Sequence, residues 1–162
     1  MTDDDGGGRQ DWADVLLVEA DPADARLISC GFQRQSVTTD VAPDGRTAIE
    51  RLSTASDERT DDRLPRLIVL DLAIGPLDAE TILHAVKSSP RLGLVPVVTL
   101  SDSDEHTAAT DTDAERAYDL GANAHFSKPD DVERYVDGIE RLAAFWFEWA
   151  TFPPELLSVD GA

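Results

Sequence analysis

Three short, uninterrupted apolar runs constrain this chain more than any other feature: Val15-Leu-Leu-Val18, Leu67-Ile-Val-Leu70, and Val95-Pro-Val-Val98 with Leu100 beyond. A run of branched residues with no polar member cannot divide itself between core and water. It must be covered on both faces, as a strand inside a parallel sheet is. Two weaker segments, 37–41 and 122–126, carry polar residues within them and suit the edges of such a sheet. Helical stretches with readable ends lie between. Asp21-Pro22 offers an N-cap acceptor and then a proline where the missing N–H costs nothing, and Leu27, Ile28 and Phe32 recur along one face behind it. A second helix is predicted near Asp44, burying Ala48, Ile49 and Leu52, and a third from Asp78, burying Ile82, Leu83 and Val86. A fourth ends at Gly121. The last and longest sets Val132, Tyr135, Val136, Ile139, Leu142 and Ala143 at three-and-four spacing.

Strands alternating with helices describe an α/β fold, a parallel sheet with helices on both faces. Right-handed crossovers leave few topologies, and the flavodoxin-like order 2-1-3-4-5 places the three most apolar strands in the centre. Charge limits the partners. With 33 acidic residues against 14 basic, the net charge is −19, which disfavours direct contact with nucleic acid or an anionic membrane. Only two of the basic residues, Lys87 and Lys128, are lysine. An acid-rich, lysine-poor composition is similar to that of proteins from salt-loving archaea, where the Debye length falls to ~3 Å near 1 M salt and self-repulsion is screened. No apolar run approaches the ~20 residues of a membrane span, and the acidic, glycine-rich amino end is unlike a secretory signal. A cytoplasmic location is expected, with residues 1–10 and 155–162 as mobile tails and 53–63 as an acidic surface loop. Cys30, the single cysteine, reads as a small buried thiol in a helix.

Ligands of such sheets bind beyond the carboxyl ends of the strands. There the sequence places Glu19, Ala20 and Asp21 after the first strand, Asp71 after the third, Ser101 after the fourth and the run His125-Phe-Ser-Lys128-Pro129 at the fifth. In so acidic a chain, any one of these carboxylates can be an accident or a helix cap. A lysine at this place, with two in the whole chain, is a far smaller coincidence. Converging carboxylates, a hydroxyl and an ammonium suit phosphoryl transfer to a carboxylate. Mg²⁺ takes one or two carboxylates plus phosphate oxygens. Asp71 would attack to form an acyl phosphate, and Lys128 and Ser101 would meet the charge on the transferring oxygens.

The segments Val15-Leu-Leu-Val-Glu-Ala-Asp-Pro22, Leu67-Ile-Val-Leu-Asp-Leu72, Val95-Pro-Val-Val-Thr-Leu-Ser101 and Gly121-Ala-Asn-Ala-His-Phe-Ser-Lys-Pro129 resemble the receiver domain of two-component response regulators. Within that CheY-like family the chain is most similar to the small stand-alone regulators that partner phytochromes. The resemblance implies a phosphoacceptor at Asp71, a metal ligand at Glu19, and a backbone carbonyl offered to the metal at Ala73. It also implies phosphoryl contacts from Ser101 and Lys128, and a switch residue at His125. Ala20 stands where the family carries a second acid, which should weaken Mg²⁺ binding. Asp21 is the next carboxylate at hand, although neighbours at a strand end point in opposite directions. Gly75-Pro76 and Ala79 imply an altered loop after the phosphoacceptor, and the stretch 102–113 implies a long, loose connection into the fourth helix.

The function implied is a single-domain response regulator, phosphorylated by a sensor histidine kinase and signalling to a downstream protein through contacts. The alternative is an interaction module of the same fold that takes no phosphate, for which Ala20 speaks. An enzyme is not expected, because the Asp-x-Asp of haloacid-dehalogenase-like phosphatases is broken by Ala73, and a nucleotide-binding domain is disfavoured because no glycine-rich phosphate loop follows the first strand. The receiver domain is placed at 11–145, with an aromatic extension at 146–162. Five of the ten aromatics (Phe145, Trp146, Phe147, Trp149 and Phe152) crowd the last eighteen residues. Either the extension packs back on its own domain or Phe145, Trp146 and Trp149 form a homodimer surface, and the homodimer is the expectation.

Overall fold

The structure, a computed structural model, describes residues 12–55, 64–102 and 108–157. The amino-terminal stretch 1–10, most of the 53–63 loop and the last five residues lie outside the described part. Each apolar run becomes a strand buried along its whole length: β1 (Val15–Val18) and β3 (Leu67–Asp71) completely, β4 (Val97–Asp102) up to its last residue. The more polar β2 (Thr39–Ala42) and β5 (Ala124–Lys128) take the edges, each half-buried along most of its length. All pairings are parallel, in the order β2-β1-β3-β4-β5. The two edge strands and β4 each start two residues later than the apolar pattern predicts, because pairing register rather than hydropathy sets where a strand begins.

Strand alternation sorts the core into two layers. Leu16, Val18, Ile68, Leu70 and Val97 face α2 (Gly45–Ala55) and α3 (Pro76–Ser88). Val15, Leu17, Leu67, Val69, Val98 and Leu100 face α1 (Pro22–Gln33) and α5 (Val132–Ala144). Here α1 and α5 pack closely: a Cβ on Gly31 would stand 2.6 Å from Ile139 Cβ. That contact fixes α1, and so the side chains of its first turn, against α5. Between β4 and β5 lies α4 (Ala108–Asp119), so much of the 102–113 connection, expected to be loose, is already helical. Residues 103–107 lie outside the described part.

Three other expectations change. Cys30 is exposed, on the outer side of α1. Val132 opens α5 but is largely exposed. The chain beyond α5 does not trail off. A π-helical turn, Phe145–Trp149, is followed by the short α6 (Pro154–Leu157), and Phe152 and Leu156 are buried with Leu64, Leu92 and Val95. The extension passes the amino end of β3, where the Arg66 guanidinium lies 4.8 Å from the Phe147 ring centroid and 5.8 Å from that of Phe152.

Candidate functional site

At the carboxyl end of the sheet, β3 finishes in Asp71 and β5 in Lys128, while Glu19 follows β1 directly. All three are ionisable yet buried: Asp71 is 2% exposed, Glu19 3% and Lys128 6%. The ammonium of Lys128 is the centre of the arrangement. It donates to Asp71 Oδ2 at 2.5 Å, to Asp24 Oδ2 at 2.8 Å and to Glu19 Oε2 at 3.1 Å. The more exposed Asp102 carboxylate is 3.7 Å away. Asp71 Oδ1 accepts the backbone N–H of Ala73 at 2.8 Å, which bends the chain into a single 3-10 turn, Leu72–Ile74. That turn ends at Gly75 with φ +122°, a conformation that suits glycine.

The electrostatics follow from several carboxylates sharing one cation in a dry place. Burial, reinforced by the Asp71 carboxylate beside it, pushes Glu19 up to about 8. Burial pulls Asp71 the same way, but hydrogen bonds from Glu19, Lys128 and the Ala73 N–H outweigh it and hold Asp71 below the ordinary aspartate value. Burial also works against the charge on Lys128, and its acidic neighbours more than reverse that, so the amine stays protonated.

Asp24 belongs to this cluster and Asp21 does not. Asp21 is exposed and accepts the N–H of Ala23 at 2.8 Å as the N-cap of α1, while its own N–H donates to Glu19 Oε1 at 3.0 Å. Asp24 sits at the third helical position, and helical side chains lean towards the amino end. Its carboxylate therefore returns over the helix start to the strand ends. One oxygen from each of Glu19, Asp24 and Asp71 lies within 4.8 Å of the others. Hard oxygen ligands so placed, with an excess of negative charge over Lys128, fit a divalent cation. The signal for Asp24 in the sequence was its place in the first turn after an N-cap, which one acid among 33 does not make conspicuous.

The hydroxyl side of the site lies on the opposite face of β4 and β5. Parallel pairing sets Thr99 beside His125 and Asp102 beside Lys128, so His125 shares a face with Thr99 and Ser101 while Lys128 turns the other way. The His125 ring uses both nitrogens: Nδ1 is 2.7 Å from Thr99 Oγ1, and Nε2 is 3.1 Å from Ser101 Oγ. Burial lowers the imidazole below its ordinary value, partly opposed by Asp113 on α4. A neutral ring has one donor and one acceptor nitrogen, so it holds the two hydroxyls in complementary senses. Its backbone N–H donates to the Tyr118 hydroxyl of α4 at 3.3 Å.

Of the aromatic residues expected at a surface, Trp149 is 80% exposed and Phe145 55%. Trp146 instead turns inward, touching both core layers and lying 6.4 Å from the Phe152 ring. Among the described residues no helix is long and apolar enough to cross a membrane.

No protein-family model matches the chain. Individual relatives do. It is 33% identical over 141 residues to the "Probable methanogenesis regulatory protein FilR2" of Methanothrix harundinacea, covering 86% of each protein. The response regulator Rcp1 of Synechocystis is 28% identical over 141 residues, covering 86% of this chain and 92% of that one. Among solved structures, the phosphorylated cyanobacterial phytochrome response regulator RcpA is 30% identical with a TM-score of 0.72, covering 88% of this chain and 99% of its own. The Mn²⁺-bound form of Rcp1 has a TM-score of 0.71 at 28% identity, covering 86% and 97%.

Proposed function

The chain belongs to the response regulator receiver domains, and on that premise we propose that it is a phosphoryl-accepting switch whose acceptor is Asp71. The observation that carries this reading is the buried Lys128 ammonium gripping Asp71, Asp24 and Glu19 from three separate elements. In the transfer, a carboxylate oxygen of Asp71 attacks the phosphorus of a kinase phosphohistidine. The P–N bond breaks, an acyl phosphate forms, and the imidazole leaves with its electron pair and takes up a proton. Lys128 supplies the fixed positive charge for the phosphoryl oxygens, and burial makes that charge count for more than it would in water.

Glu19, Asp24 and Asp71, with the Ala73 carbonyl, are the groups that would hold Mg²⁺. When bound, Mg²⁺ neutralises charge on the phosphoryl oxygens and orients them. Asp24 offsets the acid missing at Ala20. The Ser101 hydroxyl turns from His125 Nε2 to a phosphoryl oxygen, and His125, released from it, passes the change to α4. Output then runs through protein contacts, to a downstream target and to a second copy of the chain through the exposed Phe145 and Trp149. Light scattering at micromolar concentration in high salt should give a dimer, and a monomer there removes that part of the reading.

The deciding experiment uses the full chain, Mg²⁺ and acetyl phosphate at multimolar KCl, with intact mass as the readout. Wild type should gain one labile phosphoryl group and Asp71→Asn none. If neither gains it while a known receiver domain in the same buffer does, the phosphate-independent interaction module is the correct reading.

A further inference from the structure

One group beside the site has no role in the chemistry above. Tyr135, on α5, is 3% exposed, and among the described residues its hydroxyl is buried without a hydrogen-bond partner. The ring lines a cleft of about 330 Å³ between α1 and α5, together with Asp24, Asp102, Lys128 and Val132. Lys128, Asp24, Glu19 and Asp71 all act on its ionisation through space, while burial keeps the phenol protonated. It is therefore a donor without an acceptor, next to a carboxylate that the ammonium occupies. A phenylalanine would fill the same space without leaving a buried hydroxyl unpaired, so the resting state gives no reason for a tyrosine here.

The difference lies in what Lys128 does. At rest its ammonium is held by Asp24, Asp71 and Glu19. Turning to a phosphoryl group on Asp71 removes it from Asp24 Oδ2, so one oxygen of that half-buried carboxylate, beside the one that would face Mg²⁺, loses its donor. We propose that the Tyr135 hydroxyl is a positioning donor for Asp24, taking up that carboxylate when Lys128 engages the phosphoryl group. Tyr135 thereby favours the phosphorylated arrangement while contributing nothing to the resting one. This rests on Asp71 being the acceptor.

The test compares wild type, Tyr135→Phe and Asp71→Asn by urea unfolding without phosphodonor, and by phosphoryl uptake and acyl-phosphate lifetime with Mg²⁺ and acetyl phosphate. Tyr135→Phe should unfold at the same or higher urea concentration than wild type. Its phosphoryl uptake or lifetime should fall about tenfold, the size of one hydrogen bond to a charged group. Loss of resting stability in Tyr135→Phe would mean that the hydroxyl already has a partner, such as water, and overturns the proposal. So does unchanged uptake and lifetime; in that case Asp71 phosphorylation in wild type, absent from Asp71→Asn, leaves the switch standing. Absence of uptake by wild type beside a competent control overturns both.

Discussion

At the carboxyl end of the sheet Lys128 stands among Glu19, Asp24, Asp71 and the outlying Asp102. At the amino end Arg66 pairs with one carboxylate, Asp14, at 2.6 Å and rests its flat face against Phe147 and Phe152. The second arrangement is closed: one charge meets one charge, and the guanidinium plane is covered by rings that also seal the core. In the first, acids outnumber the cation, and burial together with the neighbouring Asp71 pushes one of them, Glu19, up to about 8. A closed pair holds parts together, whereas an unbalanced one responds to whatever brings or removes charge. The same contrast separates the two lysines. Lys87 donates to Asn123 at 2.9 Å, and Asn123 also accepts from Val97, so that amine pins the turn before β5 and is structural.

Removing the central cation tests this contrast most severely. Lys128→Met leaves buried carboxylates without a counter-charge and should cost about 3–5 kcal/mol in urea unfolding at fixed salt. Added divalent cation should recover part of that loss, and a variant as stable as wild type would mean that the acids are hydrated and the site is not dry. Phe152→Ala, at the other end, should cost about 3 kcal/mol as a core truncation and leave phosphoryl uptake unchanged. A change in uptake would show that the two ends communicate.

Smaller effects sharpen the picture. Asp24→Ala should weaken Mg²⁺ or Mn²⁺ binding about tenfold by titration calorimetry, the scale of a lost charged contact. Asp21→Ala should keep the affinity and lose only the N-cap, about 1 kcal/mol. The reverse pattern would return the third acid to Asp21. Arg66→Ala should cost about 1 kcal/mol, with a particular pH dependence. Burial raises the Asp14 pKa, but the Thr38 N–H and Arg66 more than reverse it, leaving Asp14 below its ordinary 3.8. Its contribution is therefore complete at neutral pH and is lost as pH falls through that lowered value. The wild-type advantage over Arg66→Ala should shrink along the same acid limb, and a difference that persists below it would belong to the ring contacts alone.

Much of this was legible in the chain. Val15-Leu-Leu-Val18 and Leu67-Ile-Val-Leu70 specify buried central strands by composition alone, and the rarity of lysine marks Lys128 as placed rather than scattered. Asp71, Glu19 and Lys128 meet because strand ends of a parallel sheet adjoin whatever their separation in sequence, whereas Ser101 bonds His125 on the other face. The choice between neighbours was not legible. Asp21 and Asp24 are the same residue type three positions apart, and only the phase of α1, fixed by Gly31 against α5, sends one to water and the other to Lys128. Likewise Trp146 and Trp149 follow one another in a single aromatic run, and the π-helical turn packs the first, half-buried, against the core and exposes the second.

The division has a physical reason. Whether a segment must be covered depends on its own surface and can be read residue by residue. Which of several like side chains reaches a given point depends on the rotation and register of elements that are brought together only when the whole sheet closes.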